Sequence, residues 1–393
     1  MIIDWNKYAE NTSWKRTLLP NYAFDHKRYW IEAKDQQLAS MNLIVNEKAH
    51  PLLGQKLDLA GEEIIYSNLV SELPEYLNDH KVFDKIIFPA AGFLEMALAV
   101  GCQSLGTNCI VLENVDIPKA LILNDTVSKI QTVVREIEEN HYEFRIVSSQ
   151  FDKEKNKNQW IKHASGVFKK LSDGDMKKEN IINLQEYYKT HFDTQELYEL
   201  YEDRGIVYGP NFKSLTKIST ADDGAIGLVE LPNNLLTANY QFHPVLLDGS
   251  FQVLAATIGK DAESGDTFLP TNMERFEYYG GANKSIWSDI KVGAQSGSNQ
   301  ILIDIGLIAN DGEKIGSIKG LHLKKVNKDL LGGASTKRNV SDWLYQLAWE
   351  ANPLNDHKNA LDDSIDIKAL ALEVKNHFDR QIDHEPLNSY KEI

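Results

Sequence analysis

PAAGFLEMALAVGCQSLG, residues 89–106, is the stretch on which the reading of the whole chain turns. Proline at its start, strong helix formers inside and glycine at its end bracket a helix, and the near-continuous apolar interior predicts burial on all sides. Strand-like runs follow: VLENVDI (111–117), KIQTVVREIEE (129–139), YEFRIVSSQ (142–150) and WIKHASGVFKK (160–170). In the third run Tyr142, Phe144 and Ile146 alternate with polar neighbours, the period of a half-buried antiparallel strand. HPVLLDGSFQVLAATIG (243–259) repeats the plan as a second apolar helix. SIWSDIKVGAQ (285–295), QILIDIGLIAN (300–310) and KIGSIKGLHLKKV (314–326) come after it, with Asn310-Asp311-Gly312 as a hairpin turn. The expectation is one helix and one antiparallel meander, twice over, each half wrapping a sheet around its helix. Between the halves, 172–203 is acidic and polar, and LQEYYKTHFDTQELYELYEDRG reads as an amphipathic connecting helix.

At 393 residues the chain has room for two domains, or for one large domain with attached segments. Apolar residues make up 42% and charged residues 25%, an ordinary globular mix that argues against wholesale disorder. Forty-two basic against 57 acidic residues give a net charge of −15. That balance speaks against a nucleic-acid binder and against docking on an anionic membrane. No apolar run approaches the ~20 residues that span a bilayer, and the N-terminus has no signal-like apolar core. Cys102 and Cys109 make neither a disulfide framework nor a zinc site. A soluble cytosolic protein is the expectation.

The ends have a different character. In LLPNYAFDHKRYWIEAK (18–34) aromatic and basic residues mix without helical or strand period, as in a segment lying extended over another domain. At the other end LLGGAS (330–335) reads as a linker, followed by the strand-like SDWLYQLAWEANP (341–353). Both ends read as pieces of something larger.

Several signatures are absent: GxGxxG after a strand, the P-loop, HExxH and GxSxG. Three short stretches remain. In YLNDHKVFDKIIFPAAGFLEMA (76–97), His80 follows Asp79 and precedes the Pro89 that opens the first helix. A lone histidine is more often a surface residue or a satisfied polar group. In HPVLLDGSFQ (243–252), Asp248 lies inside an apolar helix, where an ionised carboxylate is expensive unless paired. Gln252, four residues on, shares its helix face. An aspartate bonded to nearby backbone is the plainer alternative. In RGIVYGPNF (204–212), Tyr-Gly-Pro is compatible with a simple turn.

HKVFDKIIFP (80–89), YGP (208–210) and LLDGSFQ (246–252), in this order and spacing, resemble the dehydratase domains of modular polyketide synthases. The family patterns are HxxxGxxxxP, YGP and DxxxQ/H. HPLLG (50–54) is similar to the family's opening, and LPTN (269–272) to the segment before its late strands. LPNYAFDHKRYW (19–30) resembles the linker that wraps a ketosynthase, and WLYQLAWE (343–350) the lead-in to the next domain.

The resemblance implies an α+β double hotdog, two fused hotdog folds each wrapped around a long helix. It places a linker at 1–44, the domain at 45–326 with hotdogs of about 45–170 and 205–326, and a further linker at 327–393. It implies removal of water from a 3-hydroxyacyl thioester on the phosphopantetheine of an acyl carrier protein. No metal or diffusible cofactor is needed. His80 matches the catalytic histidine and Asp248 the catalytic aspartate; Pro89, Tyr208, Gly209, Pro210 and Gln252 match supporting positions. The residue types suit the task. Neutral imidazole is a fit base for a weakly acidic α-proton, and a buried, protonated aspartic acid can donate to the departing hydroxyl. A backbone N–H near Gly92 is the expected donor to the enolate oxygen. Asp84 stands where the family has glycine, with three readings open: an unusual backbone geometry, an influence on His80, or a solvent-facing side chain. Relatives on this scaffold also shift double bonds or close pyran rings, and an inactive spacer is the reading from another class. Neighbouring synthase domains and a second copy of the chain are the further partners implied.

Overall fold

The computed structural model describes residues 50–152, 157–171, 181–258, 267–281, 284–293 and 300–326. The chain divides into two units, 1–333 and 334–393, and every described residue belongs to the first. The linkers expected at 1–44 and 327–393 lie outside the described residues.

Pro89 caps α1 (Ala90–Leu105), and Gly106, at φ 63°, ends it in the left-handed region, as the bracketing residues predict. Its interior is buried almost throughout, from Ala91 to Cys102. Around it run β1 (Gln55–Leu57), β2 (Ile64–Leu69), β3 (His80–Val82), β4 (Lys85–Ile86), β5 (Ile110–Asp116), β6 (Val127–Glu138), β7 (His141–Asp152) and β8 (Lys157–Lys170).

The segment between the halves is not one helix. It forms α2 (Ile181–Tyr187), β9 (Thr190–Phe192) and α3 (Thr194–Asp203). Asp193 ends the extended piece and starts the next helix by accepting from the Gln195 N–H at 2.8 Å. Then come β10 (Ile206–Tyr208), β11 (Leu215–Ala221), β12 (Gly224–Glu230) and the central helix α4 (Pro244–Gln252), with α5 (Ala255–Ile258) after a short turn. The single helix expected over 243–259 breaks at Gln252. There the Ala256 N–H turns back to the Val253 carbonyl, and the Tyr201 hydroxyl takes the Gln252 carbonyl. β13 (Thr267–Tyr278), β14 (Ser285–Val292), β15 (Gln300–Ala309) and β16 (Lys314–Val326) complete the second half. LPTN lies ahead of the late strands as expected, and is itself part of β13, at an irregularity between Pro270 and Asn272. Gly312, at φ 86°, turns the β15–β16 hairpin.

The two wraps are one sheet of 13 strands, in the order β1-β2-β6-β7-β8-β5-β13-β16-β15-β14-β12-β11-β9. The expected separate sheets merge where β5 pairs antiparallel with β13, from Ile110↔Tyr278 to Asp116↔Asn272. Either strand alone would carry a row of unpaired backbone groups along an edge, and the pairing satisfies both. This is the double hotdog arrangement. A small second sheet, β10-β3-β4, crosses from one half to the other and carries the first motif.

The β3–β4 hairpin turns on Phe83 and Asp84, at φ 48° and 65°. Both central residues sit in the left-handed region, the geometry of a tight turn that favours glycine. That accounts for the family glycine at position 84, and for aspartate as a tolerated replacement. Asp84 itself is exposed and faces solvent. Asp84→Gly is therefore expected to stabilise the fold by about 0.5–1 kcal/mol, read as a raised Tm, with catalytic constants unchanged. A lowered Tm would mean that the aspartate makes a compensating interaction.

Candidate active site

His80 opens β3 with only 6% of its surface exposed. Its Nδ1 lies 2.8 Å from the Ile87 carbonyl, which can only accept, so Nδ1 carries the proton. Nε2 is left with a lone pair. The Ile87 N–H also donates to the His80 carbonyl, at 3.1 Å, so the hairpin holds its own histidine from both sides.

The lone pair faces across the molecule. Nε2 of His80 is 3.8 Å from Oδ1 of Asp248 on α4, and Asp248 is also 6% exposed. That separation is beyond hydrogen-bond reach. Burial raises the Asp248 pKa above the usual carboxylate range, against smaller opposing effects of His80 and the Gln252 side chain. A carboxyl so placed keeps its proton to higher pH.

Gln252 is committed in every direction. Its Nε2 donates to Asp248 Oδ2 at 2.9 Å and to the Phe212 carbonyl at 3.1 Å, and its Oε1 accepts from the Tyr198 hydroxyl at 3.1 Å. It orients the aspartate. Tyr198 in turn accepts from the Leu215 N–H at 3.1 Å. Tyr198 and Tyr201 lie three residues apart on α3, on one helix face, and both reach Gln252.

The YGP segment meets the histidine through backbone pairing, Tyr208 opposite His80. The Tyr208 ring is buried 5.7 Å from the imidazole and 5.1 Å from Tyr201, and Phe212 lies 5.3 Å from His80. Asp79 locks this join. Its carbonyl accepts from the Gly209 N–H at 2.7 Å, and its carboxylate accepts from the Asn211 backbone and side chain at 2.9 and 2.7 Å. A β-carbon on Gly209 would fall 2.4 Å from the Asp79 carboxylate, so only glycine allows the approach.

Two expected site residues are placed differently. Pro210 is exposed and shapes the turn after Tyr208 rather than the wall around the pair. The Gly92 N–H donates to the Pro89 carbonyl at 2.9 Å, so it is not a free donor for an enolate oxygen. Gly92 is required instead for packing, since a β-carbon there would meet the Phe88 ring at 2.5 Å. Pro89 is buried as the cap of α1. Asp79, Tyr198, Tyr201, Phe212 and Asn211 were not anticipated. The i, i+3 tyrosines, Asp79 beside His80, and the Asn211-Phe212 that follow Tyr-Gly-Pro are their traces in the sequence. Among the described residues there is no cluster of three or more His, Cys, Asp or Glu side chains able to hold a metal, and no helix long and apolar enough to cross a membrane.

Two fused hotdogs each supply one member of a buried imidazole–carboxyl pair, His80 from the first and Asp248 from the second, an arrangement suited to acid–base chemistry. Residues 50–149 match the family described as polyketide synthase dehydratase domain, and residues 178–332 the one described as polyketide synthase dehydratase N-terminal domain. The dehydratase domain from the CurK module of the curacin polyketide synthase is 30% identical, with a TM-score of 0.65 over 72% of this chain and 100% of that one. The domain from the CurF module is 30% identical, with a TM-score of 0.64 over 71% and 99%. The chain belongs to the polyketide synthase dehydratase domains. Curated relatives include polyketide synthase GfsB of Streptomyces halstedii, 28% identical over 271 residues, and the mycoketide-CoA synthase of Mycobacterium tuberculosis, 29% identical over 248. These alignments take in 67% and 60% of this chain but only 5% and 6% of the relatives' length.

Proposed function

We propose that this domain dehydrates a 3-hydroxyacyl group, held as a thioester on the phosphopantetheine of an acyl carrier protein, to the 2-enoyl thioester. The observation that carries the reading is the buried His80–Asp248 pair at 3.8 Å, with the imidazole tautomer fixed by Ile87. His80 Nε2 takes the proton from the carbon beside the thioester carbonyl. The electron pair forms the new double bond, the C–O bond at the third carbon breaks, and Asp248 supplies the proton with which hydroxide leaves as water. His80 ends protonated and Asp248 ionised, and one proton passed between them restores the start.

Two of the solved CurK dehydratase structures are inactive mutants, one with aspartate changed to asparagine and one with histidine changed to phenylalanine. The same two residue types face each other here, which supports the assignment. The curated relatives are much larger synthases, so neighbouring domains of such an assembly are the proposed context, and a homodimer is the proposed state.

The test is mass spectrometry of both 3-hydroxyacyl epimers on an acyl carrier protein, incubated with this chain and with His80→Ala. Loss of one water from one epimer, absent in the variant, is expected. No mass change with either epimer overturns the reading. A preformed 2-enoyl substrate followed by NMR then separates a double-bond isomerase from an inert spacer.

A further inference from the structure

Glu95 lies in the second turn of α1 with none of its surface exposed, and the reaction above does not use it. An ionised carboxylate in such a place is costly unless its oxygens are fully hydrogen-bonded. Here they are met by three donors. Oε1 accepts from the Gln241 N–H at 2.7 Å and lies 2.8 Å from His50 Nε2, and Oε2 accepts from the Phe242 N–H at 2.8 Å. The His50 tautomer is fixed as well. Its Nδ1 accepts the Leu52 and Leu53 N–H groups, both at 3.2 Å, so Nε2 holds the proton and donates. Burial raises the Glu95 pKa, and the His50, Phe242 and Gln241 donors draw it back down. Every partner is a donor, a surrounding that carboxylate oxygens fit and an amide cannot match.

The backbone held this way is the pair of residues just before His243, the cap of α4. The Tyr278 hydroxyl holds the Gln241 carbonyl of the same pair at 2.5 Å. α4 is nine residues long and carries Asp248 in its middle. Its far end is fixed through Gln252 by Tyr198, Tyr201 and Phe212. Its near end is fixed by Glu95. A helix advances only ~1.5 Å per residue, and a displacement of about 1 Å between reacting groups costs about 10²-fold in rate.

We infer that Glu95 is a positioning residue: a carboxylate on the helix of the first half that sets where the helix of the second half begins, and so the distance from Asp248 to His80. The same bonds tie the 50–53 turn, whose HPLLG sequence resembled the family opening, into the joint. The inference rests on the dehydratase reading for its kinetic consequence, though not for the geometry.

The experiment compares the parent chain with Glu95→Gln and Glu95→Asp, using a soluble 3-hydroxyacyl pantetheine thioester as substrate. Glu95→Gln puts an amide N–H₂ among N–H donors. A fall in kcat of about 30- to 100-fold is expected, with KM held within about threefold. Glu95→Asp keeps the carboxyl, one methylene short. It is the variant expected to fold even if the other does not, with kcat down about tenfold. The second readout needs no turnover: the His80 Cε1–H resonance in NMR, assigned by its loss in His80→Ala, is expected to shift in both variants. A merely structural role would lower Tm but leave kcat per folded molecule and the His80 resonance at parental values, and that result overturns the inference. If the parent shows no dehydration, the dehydratase reading fails, and an unmoved resonance would still refute the joint separately.

Discussion

His80→Ala is expected to lower kcat by about 10²- to 10⁴-fold, the range that a positioned general base supplies. The reason is specific to the geometry. The imidazole is locked by the Ile87 carbonyl with its lone pair toward Asp248, and no other described base is placed to take over. His163 donates through Nδ1 to the Lys119 carbonyl at 2.9 Å and meets Ser148 through Nε2 at 2.8 Å. His243 caps α4 by accepting from the Val245 N–H at 3.2 Å, and burial pushes its pKa down to about 3. Circular dichroism of the variant is expected to match the parent, since the loss opens a small void beside Phe212 and Tyr208 without unpairing β3 from β10. Turnover at the parental rate would remove His80 from the mechanism.

Asp248→Asn is expected to cost a similar factor in kcat, while leaving the fold intact or more stable. An asparagine can turn its oxygen to the Gln252 Nε2 donor and its N–H₂ toward the His80 lone pair, so the site accommodates it. It cannot give a proton to hydroxide. The pH dependence separates the two effects. Because burial raises the Asp248 pKa in the fold, its contribution to stability is fully present below the unfolded carboxyl value of ~3.9 and is lost as pH rises through the folded value. The variant lacks this loss. Its Tm relative to the parent is therefore expected to rise from pH 4 to pH 8. The parent's kcat is expected to fall on the alkaline side of the Asp248 titration, and this limb is expected to be absent from the variant's residual activity. A Tm difference independent of pH would mean that the carboxyl titrates alike folded and unfolded, and would remove its role as a protonated donor.

The repeated helix-and-meander plan was legible because its signals are local. Pro89 and Gly106 punctuate a helix, and residues such as Tyr142, Phe144 and Ile146 alternate with period two wherever the strand lies. The connecting segment misled for the same reason. Its apolar spacing suits a helix, while Asp193 and the pairing of β9 with β11 break it, and that pairing partner lies some thirty residues away. β11 and β12 form a local hairpin, Ala221 opposite Gly224, but β12 is buried from Gly224 to Val229 and carries no alternation to read; β13 is set by its pairing with the distant β5.

By itself the sequence determined two buried helices, most of the strands that follow each, and two chemically apt residues in motifs whose order points to a family. Only the tertiary structure decided that the two sheets are one, that Gly92 has no N–H to give, and that Pro210 faces water. It also decided that His80 and Asp248, 168 positions apart in the chain, stand 3.8 Å apart with Gln252, Asp79 and Glu95 holding them. The physical reason is one of range. Backbone propensity and hydrophobic period are set by neighbours in sequence, whereas a proton transfer depends on distances between elements, which only packing and buried hydrogen bonds fix.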